Sequence, residues 1–188
     1  MGDLILSTVT QGLLWSVMAV GLYLTFRTLN IADLSVEGSF PLGGAVAAIL
    51  LTENHNPAVA IFAAGMAGML AGAVTGLLHT KLKIPALLAG ILTMIALYSV
   101  NLRIMGKANI PLLNIDTVYT GLAFLGLSPH MTTFAVALVI AISAPALLYG
   151  FFGTEIGMAL RATGNNPQMI RALGVNTDHM LLLGLMIS

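Results

Sequence analysis

The stretch TEIGMALRATGNNPQMIRALGVN, Thr154 to Asn176, lies between two apolar segments and decides how the chain is read. It is the longest polar interruption that reads as ordered structure, and it carries two of the seven basic residues. Thr154 can cap a helix, with Glu155 in its first turn favoured by the helix dipole. Gly164 is expected to end that helix in a left-handed turn. Asn166 can then cap a second helix, Pro167 suits its first position, and Gly174 closes it after about two turns. The expectation is a helix, a sharp turn and a second helix of roughly seven residues, which is too short to persist alone in water. Met169, Ile170 and Leu173 can form one apolar face of it, with Arg171 beside that face and Arg161 just upstream. Two readings stand: a loop helix lying against its own bundle, or a helix that docks into a cytosolic partner.

The composition bounds the class. The chain is 58% apolar and 7% charged, against about 45–50% and about 25% in soluble domains. So few charges cannot cover a water-soluble surface, so the chain reads as an integral, multi-pass membrane protein. Its net charge of zero argues against a nucleic-acid partner. With no cysteine it has no disulfide and no thiolate metal site. The N-terminus lacks a basic region and a small-residue cleavage site, so Leu4–Phe26 reads as a retained membrane helix.

Outward from there, the apolar segments fall in order. After the first span and Arg27 comes NIADLSVEGSFPLGGAVAAILLT, Asn30 to Thr52, polar at its start and interrupted by Pro41 and Gly43-Gly44. A broken or partly re-entrant span is expected near 31–52. A third span covers about Ala58–Leu78, with Gly68, Gly72 and Gly76 spaced four apart and Gly65 extending the stripe. Such small residues let helices approach closely, within one bundle or at a dimer seam. A fourth span runs from Pro85 to near Leu102 and a fifth covers about Thr132–Phe152. The connection between them holds Pro111, Asp116 and Tyr119, and its GLAFLGL run suits a short interfacial helix. The chain stops nine residues into another apolar run, Met180–Ser188, too short to cross a bilayer as a helix. The expectation is one transmembrane domain over residues 1–188, C-terminally incomplete. It is an all-α polytopic bundle with about five full transmembrane helices, one broken or re-entrant segment near 31–52, and a cytosolic loop at 154–176.

Basic residues orient the bundle. With the 154–176 loop in the cytosol, Arg27, Lys81, Lys83, Arg161 and Arg171 fall inside, and Arg103 and Lys107 fall outside.

Candidate chemistry is sparse. Asp33 and Glu37 are four apart, so on a helix they would share a face. Carboxylates near a bilayer tend to line a water-filled path, but Asp33 can equally cap a helix start, and ion coupling is a third use. Ser35 and Ser39 can offer hydroxyls to a substrate or bond their own backbone. His55, His79, His130 and His179 sit at span ends without metal-ligand spacing. Trp15 falls mid-span, where core packing is expected, and eleven methionines suit adaptable packing. No phosphate-binding loop, nucleophile elbow or metalloprotease motif occurs, so no enzyme activity is expected and energy must come from a partner or a gradient.

The run from Gly157 through Arg161, Ala162, Gly164 and Asn166 to Pro167, with Ile170, Arg171 and Gly174, resembles the coupling-helix region of permease subunits of ABC importers. The branched-chain amino acid permease-like group is the one it resembles. The segment LNIADLSVEGSFPLGG, Leu29 to Gly44, also resembles the stretch beside that group's translocation path, which would place Asp33, Ser35, Glu37 and Ser39 there. The resemblance implies a loop docked on a separate cytosolic ATP-binding subunit, an extracytoplasmic solute-binding protein, a second permease chain in a homodimer, no cofactor, and residence in the bacterial plasma (inner) membrane among its lipids. The cargo implied is an amino acid or similar small organic solute. An ion-coupled secondary transporter or channel is the rival reading, and a non-transporting scaffold the third.

Overall fold

A computed structural model of the chain describes residues 2–107, 109–112 and 128–188. Among the described residues all regular structure is helical. Helix α1, Gly2–Tyr23, runs into a π-helical turn, Leu24–Thr28. Then follow α2 (Val36–Thr52), α3 (Pro57–Thr80), α4 (Ala86–Met105) and α5 (Pro129–Phe152). The loop helices are α6 (Glu155–Asn165) and α7 (Pro167–Ala172), and α8 is Thr177–Ile187. Asp116, Tyr119 and the GLAFLGL run lie outside the described residues.

Among the described residues four helices are long and apolar enough to cross a membrane: Leu4–Thr28, α3, α4 and His130–Phe152. The chain is therefore a polytopic helical bundle. The segment near 31–52 supplies one more apolar helix, α2, of 17 residues. At 1.5 Å per residue it is roughly 26 Å long, a little short of about 30 Å of hydrocarbon.

The interruption in that segment comes before Val36, not at Pro41 and Gly43-Gly44. Pro41 is accommodated inside α2, where its missing N–H forfeits one hydrogen bond near the helix start. The irregular part is instead 29–35. The π turn places the Leu29 N–H on the Leu24 carbonyl, 3.2 Å, and the Ile31 N–H on the Thr25 carbonyl, 3.0 Å. Asn30, at φ +56°, takes the left-handed conformation that Asn tolerates better than most residues. It closes α1 and does not open α2.

Helix α2 packs against α3 and α4, α3 against α8, and α1 against α5. The glycine stripe of α3 divides along its length. A Cβ at Gly76 would lie 3.2 Å from the Leu182 Cα, and one at Gly72 3.0 Å from the Met186 Cα, so these two let α8 lie directly on α3. Gly65 and Gly68 meet nothing. Trp15 is 56% exposed, with its ring centroid 6.2 Å from that of Phe40. It sits on the face of α1, not in a core, because α1 is apolar all round and turns only part of its surface to neighbours.

A buried cluster of Leu24, Leu29, Leu160 and Leu185 joins the ends of these helices, flanked by Ile31, Leu148 and Phe152. It ties the π turn, α6 and α8 together beneath the 154–176 loop. Burying a leucine away from water is worth about 1.5–3 kcal/mol, and Leu160 is the residue through which the 11-residue α6 is held to this cluster.

Candidate functional site

The loop after α5 is built by local capping. Thr154 Oγ1 accepts the Gly157 N–H at 3.2 Å. The Asn166 side chain accepts the Met169 N–H at 3.1 Å, with Pro167 in the first position of α7. Gly174, at φ +84°, ends it. Gly164 departs from expectation. Helix α6 continues through it to Asn165. A Cβ at Gly164 would come within 2.9 Å of the Leu29 Cα and closer still to the Thr28 carbonyl oxygen. The glycine is demanded by close approach of α6 to the end of α1, not by a turn. Gly157 is buried likewise, against the Phe151 and Phe152 backbone.

The apolar residues of α7 split between two faces. Ile170 is buried, whereas Met169 and Leu173 are 52% and 69% exposed. One face holds the helix to the bundle, and the other presents two large apolar side chains to solvent. Arg171 does not face outward alone. Its Nε donates to Thr177 Oγ1 at 2.6 Å and its guanidinium to Asp178 Oδ1 at 3.2 Å. Asn176 caps α8 by accepting the Asp178 and His179 N–H groups. Arg171 thus straps α7 to the start of α8. The Asn-Thr-Asp run at 176–178 is a cap signature of the usual kind and was the available signal for that start. Ala162 is half-buried and Arg161 exposed.

The same side of the bundle gathers four of the seven basic residues. Arg27 and Arg161 line one cleft, and Lys83 and Arg171 another. His79 Nδ1 lies 2.8 Å from the Ile84 carbonyl oxygen and pins the basic turn between α3 and α4.

In the second candidate region, Asp33 is fully buried. Its Oδ1 accepts the Ser35 N–H at 2.8 Å and its Oδ2 the Ser35 hydroxyl at 2.7 Å. A Cβ at Gly90 of α4 would lie 2.6 Å from Asp33 Oδ1, so the 29–35 segment rests directly on α4. Glu37 is exposed, on the first turn of α2. Because α2 begins at Val36, Asp33 precedes the helix and the two carboxylates do not share a helical face. The Ser39 hydroxyl donates to the Val36 carbonyl at 3.3 Å. Ser35 and Ser39 both line a cleft of about 500 Å³, with Phe40, Gly65, Met69 and Met186 on its other walls.

Residues 4–188 match the family model described as the branched-chain amino acid transport system / permease component. The chain is 42% identical over 184 residues to a tyrosine transport system permease protein of Clostridioides difficile, covering 98% of this chain and 60% of that one. It is 33% identical over 192 residues to an uncharacterized protein of Rickettsia prowazekii, covering 99% and 64%. With the ribose import permease protein RbsC of Escherichia coli it shares 29% identity over 172 residues, 89% and 52% of the two chains. The chain thus spans about half to two thirds of the length of these relatives. No solved structure matches it.

Proposed function

The chain belongs to the branched-chain amino acid transport permease family, and from that premise we propose that it forms the membrane path of an ATP-driven importer, coupled through α7 to a separate cytosolic ATPase. It is a multi-pass protein of the bacterial inner membrane. Its family is one of transport, not of catalysis.

The observation that carries the coupling role is the division of α7. Ile170 and the Arg171 strap hold the helix to the bundle, while Met169 and Leu173 stand free for a partner. An ATPase closing on nucleotide would push α7. The push reaches α8 through Arg171 and Thr177, and reaches α1 and α8 through Leu160 in the shared leucine cluster. Nucleotide that binds the closed ATPase better would then shift the bundle between inward- and outward-open states.

The cleft beside Ser35 and Ser39 is the proposed stretch of the path, and a second permease chain completes it. The cargo is an amino acid; a relative named for tyrosine transport points to that class. A solute-binding protein would deliver it on the outer face. Against the ion-coupled alternative stand the two hydrogen bonds of Asp33 to Ser35 and the separation of Glu37 from it.

Converting Met169 and Leu173 to Asp in the intact permease tests the reading. The ATPase subunit is expected to stop co-purifying in mild detergent while circular dichroism shows unchanged helix content. Wild-type recovery of the ATPase would overturn the coupling role. Ser39→Phe, which fills the cleft, is expected to abolish amino acid uptake with the ATPase still bound.

A further inference from the structure

Between the end of α1, the end of α5 and α6 lies a cleft of about 750 Å³ that the transport reading does not use. Arg27 and Arg161 line it, one from the π turn and one from α6. Among the described residues neither guanidinium has an ion pair or hydrogen bond; the ion pairs are His55 with Glu53 and Arg171 with Asp178. Thr28 and Asn165 add polar groups beside the arginines, while Val20 and Leu24 at the end of the first span and Pro145, Leu148 and Phe152 of α5 make the apolar part of the wall. Tyr23 and Tyr149 stand on the same cleft, 64% and 85% exposed.

Two unneutralised guanidiniums at the cytosolic end of an apolar groove ask for an amphipathic anion. The guanidiniums offer forked donors suited to phosphate oxygens. The groove accepts hydrocarbon, and tyrosines of this exposure suit the headgroup level. The geometry points to a site for an anionic phospholipid of the inner leaflet, its phosphodiester held by Arg27 and Arg161 and an acyl chain lying between α1 and α5. Basic pockets between membrane helices on the cytosolic side bind such headgroups. A free phosphate ion would satisfy the arginines but leave the apolar walls empty.

Native mass spectrometry of the purified permease, with no ATPase present, tests this apart from the importer reading. Phosphatidylglycerol, phosphatidylcholine and inorganic phosphate are each titrated. Wild type is expected to retain phosphatidylglycerol at least about tenfold better than phosphatidylcholine, and phosphate is not expected to displace it. The Arg27→Gln, Arg161→Gln double variant should lose that preference. Arg27→Lys with Arg161→Lys keeps the charge and should retain part of it, which separates lost charge from a damaged fold. Equal retention of the two lipids by wild type overturns the site, as does displacement by phosphate, which would make it a free-anion site. An unchanged preference in the glutamine variant overturns it too. So does a wild type that retains no lipid, because protein would then fill the cleft.

Discussion

Asp33 is the residue at which the competing uses of a carboxylate in this chain part company. It is buried, and both its oxygens are occupied by Ser35. Asp33→Ala would leave a buried N–H and a buried hydroxyl without an acceptor, a loss of about 1–3 kcal/mol. Asp33→Asn keeps Oδ1 for the Ser35 N–H, and its amide can donate to the hydroxyl in place of Oδ2. Thermal unfolding in detergent should therefore fall clearly for the alanine variant and little for the asparagine one, with uptake by the latter close to wild type. An ion-coupled carrier requires the reverse, because an amide cannot be charged; uptake lost equally in both variants would restore that reading. At Gly164 the constraint is space. An added methyl meets the Thr28 and Leu29 backbone, so Gly164→Ala forces α6 off the end of α1, and overpacking of this kind costs about 1–3 kcal/mol.

At the level of elements, the loop helices depend on their caps more than longer helices would. Helix α7 has six residues, so its persistence rests on the Asn166 cap, on Ile170 and on the Arg171 strap. Losing a side-chain cap costs about 1 kcal/mol. Asn166→Ala should thus speed amide hydrogen exchange across residues 168–173 about fivefold, if that helix opens locally; unchanged exchange would mean the cap carries no load. These caps were legible in the sequence because each lies within three residues of the group it bonds. The role of Gly164 was not, since its cause is a segment more than a hundred positions earlier in the chain. The split of Met169 and Leu173 from Ile170 was equally hidden, because periodicity finds apolar residues but not which of them meets the bundle. That Asp33 and Glu37 share no helical face was hidden for a related reason: the start of α2 depends on how 29–35 rests on Gly90 of α4. The Arg171 exposed ion pair adds at most about 1 kcal/mol on its own, and its effect lies in the direction it gives α7 relative to α8.

For the whole molecule, orientation is the claim on which coupling and lipid binding both rest. The clefts bring Arg27 to Arg161 and Lys83 to Arg171, so residues scattered along the chain converge at one end of the bundle. Arg103 lies in the last turn of α4, whose first residues border the Lys83 turn, and is therefore at the opposite end. By that asymmetry the proposed orientation has the converging end in the cytosol. The chain has no cysteine, so single cysteines can be read without removing any. Leu82 and Gln168 are exposed at the converging end and Glu53 is exposed between α2 and α3 at the other. In intact cells a membrane-impermeant maleimide should label Glu53→Cys and spare Leu82→Cys and Gln168→Cys. After the membrane is opened, all three should react. Labelling of Gln168→Cys from outside would put α7 beyond the reach of any cytosolic ATPase, and would move the paired arginines to a leaflet where the charge argument no longer holds.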